Sequence, residues 1–251
     1  FFTGYKNQAW GGVALINIPL VDIKNVNFTG SNEFEWKGQR YTGALNIYGS
    51  SKISVQNSIF RDINADDGLN IKGGISEVTQ NIFYRNRDGL DIDFGEGSVS
   101  KNYFLDNRDD GIDFGAAGPL KVNNNFIKGS GDKGISVGEG SSAQLLNNII
   151  IKNNVGVAIK DGSDVFFEED VFSQNQIGLS IYTKFGNSNN KSIASGNINM
   201  LKNKQNTSYE GNLVDLSSEM KNLEVNKIKK TKSFQDWLEE LKCVDCIMKN
   251  F

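Results

Sequence analysis

The chain has 251 residues, with 27 basic against 30 acidic side chains and no histidine. The missing imidazole removes Ser-His-Asp hydrolysis, His-ligated zinc and the usual His acid or base. The slightly acidic balance of −3 offers no basic footprint for nucleic acid, and no run approaches the ~20 apolar residues of a membrane span.

In chain order, Trp10 to Leu15 and Gly43 to Ile47 read as early, irregular turns of a pattern that becomes regular further on. Between Phe28 and Phe60 lie 32 residues, about ten more than one later repeat, and the excess falls at Ser31 to Thr42. Long loops on a rigid scaffold often carry function. Here Phe34, Trp36 and Tyr41 stand beside Arg40, residues suited to stacking on a sugar face and bonding its hydroxyls. The alternative is that Trp36 folds back and plugs the scaffold.

From Gly68 onward a Gly followed by alternating apolar and small polar residues recurs at Gly89, Gly111, Gly134, Gly156 and Gly178, with spacings of 21, 22, 23, 22 and 22. A fixed period in this range marks a solenoid. Phe60, Phe83, Phe104, Phe126, Ile150 and Phe172 repeat in register, with Asn81, Asn102, Asn124 and Asn148 two residues before four of them. Asn86, Asn107, Asn153 and Asn175 follow three residues after several. No helical apolar spacing persists here, so the repeat is built of strands. The expected fold is all-β, a right-handed parallel β-helix of about 22 residues per coil over residues 1–205. It places Leu69, Leu90, Ile112, Ile135, Val157 and Leu179 in one interior column, stacks the Phe positions, ladders the Asn amides at the turns and uses Gly for φ > 0 corners.

Residues 206–251 read as a separate tail. Ser233 suits a helix N-cap, and Phe234, Trp237, Leu238 and Leu241 form a stripe at helical spacing, so a capping helix is expected near 233–248. Cys243 and Cys246 are too few for structural zinc and read as an inert or disulfide-forming pair.

The stretch from Gly131 to Glu139, the run Val157 to Ser163 and the Asp-Gly-Leu-Asp-Ile-Asp-Phe segment at 88–94 resemble the right-handed β-helix region of exported bacterial proteins. Such regions are similar to pectate-lyase-like coils, and some occur in large secreted proteins that also carry a spore-coat-H-type domain. The resemblance implies an extracellular or cell-surface location and other domains in a longer parent chain. Paired aspartates such as Asp66-Asp67 and Asp109-Asp110 imitate a polygalacturonase pair, but the accompanying His is missing.

Charge is concentrated between Asp62 and Asp113, where twelve acids face five bases for a net −7. In a parallel coil equivalent residues lie about 4.8 Å apart. Asp91 and Asp113 are equivalent, with Asn70 extending the column, while Asp67, Asp88 and Asp110 form another at the corner. Two carboxylates at that distance repel by ~1 kcal/mol in water and ~3.5 kcal/mol at an effective dielectric of 20. Either these acids splay into solvent and pair with Arg85, Arg87 and Arg108, or calcium bridges Asp88, Asp91, Asp110 and Asp113. Three function classes follow: a polysaccharide-binding module, a calcium-assisted polysaccharide lyase with Lys133 as base and Arg108 assisting, or a structural and adhesion rod.

Overall fold

The computed structural model describes residues 2–4, 8, 10–184 and 191–210, together with the backbone of Leu223–Lys227. Among them all regular structure is β, and nearly all pairing is parallel between residues one coil apart. The expected helix near 233–248 lies outside the described residues. Strands Gln205–Glu210 and Leu223–Lys227 continue the ladders past residue 205, the boundary expected for the solenoid.

Each coil contributes to three faces. The first face stacks Val13–Ile16, Gly43–Tyr48, Asp67–Lys72, Asp88–Asp93, Ile112–Gly115, Lys133–Gly138, Val155–Lys160, Ile177–Tyr182 and Gln205–Glu210. The second begins with Leu20–Lys24 and Lys52–Gln56, and the third with Asn27–Thr29 and Ile59–Arg61. At Asp164–Ser173 one ten-residue strand serves both the second and third faces.

Because side chains alternate along a strand, each face sends one set inward. Leu69, Leu90, Ile112, Ile135, Val157 and Leu179 form the expected column, every member fully buried. The third face supplies the aromatic column: Phe28, Phe60, Phe83 and Phe104 stack nearly parallel with centroids 4.9, 5.0 and 4.7 Å apart. The next member is Ile127, not the expected Phe126. Phe126 instead joins Leu105 and Ile151 in a small apolar cluster outside the barrel.

The amide ladder shows the same one-residue slip. Asn102 passes its bonds to Asn125, not to Asn124, whose φ of 55° turns the corner. Asn102, Asn125 and Asn148 each accept through Oδ1 both the backbone N–H and the side-chain amide of the Asn one coil before, as Asn102 does from Asn81 at 2.9 and 3.0 Å. The column closes on Asp170, which accepts both bonds from Asn148 at 2.8 Å. The second ladder holds Asn86, Asn107, Asn153 and Asn175 as expected, with Ser130 interposed.

The repeated glycines serve a different purpose from the one expected. A methyl on Gly89 would lie 2.5 Å from the carbonyl oxygen of Gly111, and one on Gly156 2.4 Å from that of Gly178. Close approach of successive coils therefore demands Gly there. The left-handed corners are turned mostly by other residues, among them Asn57, Gln80, Lys101 and Asn147.

Two outcomes test this register. Phe83→Ala is expected to cost about 3–5 kcal/mol in denaturant unfolding, whereas Phe126→Ala, outside the barrel, costs clearly less; equal losses would overturn the assignment. Burial raises the Asp170 carboxyl to about 7, and its Oδ2 has no hydrogen-bond partner. The folded state therefore holds a proton that the unfolded state loses near 3.8, and stability falls as pH rises between the two values. Asp170→Asn supplies the amide used at equivalent positions, so it should raise the melting temperature at neutral pH; a lower melting temperature would sink the idea.

Candidate functional site

The outward side of the first face carries one residue per coil in a continuous row: Asn46, Asn70, Asp91, Asp113, Ser136, Ala158 and Ser180. The row is polar because it faces outward, and its residues are small where flanking side chains close over them. Tyr48 and Lys72 stand along one margin at its lower end, and Lys160 and Tyr182 at its upper end. Along the other margin run Asp67, Asp88, Asp110 and Lys133, linked where the Asp110 N–H donates to Asp88 Oδ1 at 2.7 Å and the Lys133 N–H to Asp110 Oδ1 at 2.8 Å.

The Asn70 amide is oversubscribed as a donor. The Asn70 side-chain amide has two hydrogens but lies within bonding distance of three acceptors: Asp67 at 2.7 Å, Asp91 at 3.0 Å and Thr42 at 3.0 Å. Asn70 Oδ1 and Ser136 Oγ are buried without a hydrogen-bond partner. A buried polar group left unpaired costs about 1–3 kcal/mol.

The stacked acids do not splay into solvent as the first alternative expects. Burial pushes the carboxyls up, to about 6 for Asp67, about 8 for Asp88 and about 7 for Asp110. Asp91 is raised well above the ordinary range by burial and by the neighbouring Asp67, Asp93 and Asp113. Three lysines neutralise part of the strip: Lys72 meets Asp93 at 3.0 Å, Lys160 reaches Asp113 at 3.9 Å, and Lys133 bonds Asp132 and lies 3.5 Å from Asp110. Arg85 and Arg87 do pair with acids, but with Asp62, Asp66 and Asp109 beside the row. Arg108 donates to the Ile63 carbonyl at 2.9 Å.

The structure brings together a different carboxylate set from the one expected to hold calcium. Among the described residues, the acids whose oxygens converge within 4.8 Å of one another are Asp109, Asp110 and Asp132. Asp88, Asp91 and Asp113 stand outside that set, and the Lys133 ammonium already lies against Asp110 and Asp132. The acid-rich segment legible in the sequence ends at Asp113, so Asp132, one coil further on beside Lys133, falls outside it. Burial lowers the Lys133 pKa, but Asp110 and Asp132 outweigh it and hold the ammonium above its ordinary range. That is the reverse of what a proton-abstracting lysine requires.

The extra residues form a hairpin, Phe34–Trp36 paired with Gln39–Tyr41. Tyr41 is buried and stacks between Phe34 at 4.8 Å and Tyr48 at 5.5 Å. The hairpin is thereby fixed to the lower end of the row, where the Tyr48 hydroxyl donates to Asn46 Oδ1 at 3.2 Å. Two of the four expected binding residues are thus packing groups. Trp36 is 57% exposed with the Lys37 ammonium 4.4 Å from its ring, and Arg40 is exposed and paired with Glu33.

The family model for the right handed beta helix region matches residues 11–198, so the chain belongs to the right-handed β-helix family. No curated protein matches it in sequence. Among solved structures it is similar to a double mutant of the periplasmic alginate epimerase AlgG, with 16% identity and a TM-score of 0.62 over 83% of this chain and 51% of that one. A second AlgG structure gives 15% identity and a TM-score of 0.57 over 74% and 48%. The chain spans about half the length of AlgG, and at this identity the likeness is one of fold.

The raised carboxyls set a pH dependence. With folded values of about 6, 8 and 7 for Asp67, Asp88 and Asp110 against 3.8 for a free group, the folded chain holds more protons than the unfolded one across that window. Stability therefore falls as pH rises through it. Thermal melts should show this decline by several degrees, and Asp88→Asn should flatten it. A flat or rising profile in the parent chain would mean that the acids are ionised and compensated.

Proposed function

We propose that this chain is an exported polysaccharide-binding β-helix module that holds its glycan along the outward side of the first face. The observation that carries this reading is the row of small, mostly polar residues from Asn46 to Ser180, interrupted only at Ala158, with Tyr48, Lys72, Lys160 and Tyr182 along its margin. An extended polymer presents one similar unit after another, and so does a coil stack with a period of about 4.8 Å. Tyr48 and Tyr182 flank the row toward its two ends, and the hairpin places the exposed ring of Trp36 beside its lower end. Aromatic faces of this kind stack on the apolar C–H surface of a sugar while polar groups bond its hydroxyls. The fold shared with a periplasmic enzyme named for alginate supports both a polysaccharide ligand and export.

Binding is favoured over lyase chemistry because the expected base is held protonated by Asp110 and Asp132.

Trp36 gives the direct test. It is exposed, so Trp36→Ala should leave the melting temperature nearly unchanged while weakening glycan affinity roughly five- to tenfold, measured by titration calorimetry against a panel of oligosaccharides. A large loss of stability with unchanged affinity would make Trp36 a packing residue. Silence across the whole panel would leave the rod.

A further inference from the structure

On the first face the supply of positive charge runs out at one coil. Lys72 is committed to Asp93, Lys133 to Asp110 and Asp132, and Lys160 to Asp113. Asp88 and Asp91, three residues apart on the strand Asp88–Asp93, have no ion pair; Asp88 accepts one backbone N–H and Asp91 shares the oversubscribed Asn70 amide. The row on either side of Asp91 and Asp113 holds the unpartnered Asn70 Oδ1 and Ser136 Oγ, on residues 1% and 0% exposed. Burial without a counter-charge holds Asp88 and Asp91 toward the protonated form; a positively charged donor placed against them would let them ionise and accept its hydrogens. The group that complements them carries several N–H donors, no acceptor and a positive charge, which is an ammonium. The chain uses that group on its own acids one coil further on, where Lys133 lies against Asp110 and Lys160 reaches Asp113.

Building on the polysaccharide reading, we infer that the ligand of this face is an amino-bearing glycan, a polymer of unacetylated hexosamine units whose ammonium groups meet Asp88 and Asp91. A uronate polymer would bring like charge to a segment whose net charge is already −7 between Asp62 and Asp113. A neutral glycan would leave both carboxyls protonated and gain no ion pair from them.

Calorimetric titration of the whole chain, in chelating buffer at low salt, compares a glucosamine oligosaccharide, its fully N-acetylated counterpart of equal length and an oligouronate. The glucosamine oligomer should bind about tenfold or more tightly than the acetylated one, with no heat from the uronate. Its affinity should fall with added salt. Asp88→Asn and Asp91→Asn should each weaken it about tenfold, whereas Asp164→Asn, at an exposed acid on the second face, should not. The three-ligand comparison needs only the parent chain, so a poorly folding variant does not blunt the test. Equal or tighter binding of the acetylated oligomer or the uronate would overturn the amine assignment while leaving the polysaccharide reading intact. Binding of none of the three, or of any other glycan, would sink both. A calcium-dependent rise in melting temperature that vanishes in Asp91→Asn would give these acids to a metal ion and likewise overturn the proposal.

Discussion

Every residue in a parallel coil stack meets its own equivalent about 4.8 Å away, above and below, and the rest of the molecule follows from that constraint. Stacking like on like is favourable for flat apolar rings, which is why Phe28, Phe60, Phe83 and Phe104 form a nearly parallel pile. It is favourable for primary amides, which donate and accept in equal measure, so Asn81, Asn102, Asn125 and Asn148 pass hydrogen bonds from coil to coil in a dry interior. It is unfavourable for carboxylates, which only accept when ionised. The same geometry that builds the core therefore concentrates a cost wherever acids are repeated.

The constraint also explains why some of the molecule could be read from residues alone. A period near 22 with Gly and apolar positions in phase has few solutions, and the interior column from Leu69 to Leu179 sits where that period places it. The slip at Phe126 and Asn124 has a local cause. Three consecutive asparagines, Asn123 to Asn125, precede two adjacent apolar residues, Phe126 and Ile127. Either choice satisfies the alternation, and only the pairing of Phe104 with Ile127 decides between them. The role of the glycines was hidden for a related reason. Composition reveals that Gly is abundant, but a carbonyl 2.5 Å from a missing methyl is a relation between coils rather than a property of one.

The acidic strip was visible as a pattern and misjudged as an environment. Equivalence of Asp91 and Asp113 follows from spacing, whereas their burial depends on which long side chains lean across them. Lys160 lies over Gly138, where a methyl would come 2.6 Å from its Cε, and reaches Asp113 from there. The hairpin was misjudged in the same way. Its aromatic content suggested one binding surface, but the pairing sets Phe34 and Tyr41 at the base of the hairpin against Tyr48, whereas Trp36, two residues further out beside the turn, stays exposed.

Departures from strict repetition are where a solenoid acquires individuality. The stack from Asn46 to Ser180 departs from uniformity at its lower end, where the hairpin intrudes, and in its middle, where two coils carry Asp in place of a smaller neutral residue. Substituting Asn at Asp91 would extend the amide pattern already present at Asn46 and Asn70, and Ser at Asp113 would extend the one that resumes at Ser136. Either would remove like-charge repulsion at no cost to the alternation. The retained carboxylates hold the face away from its stability optimum, as sites shaped for a ligand commonly are. Part of that cost is offset by the nearby lysines, committed to Asp93, Asp110, Asp113 and Asp132, and part by proton uptake at Asp88 and Asp91, which lack an ion pair. The fold thus supplies a rigid row of equivalent positions, and the acids within it make the stability of that face depend on pH.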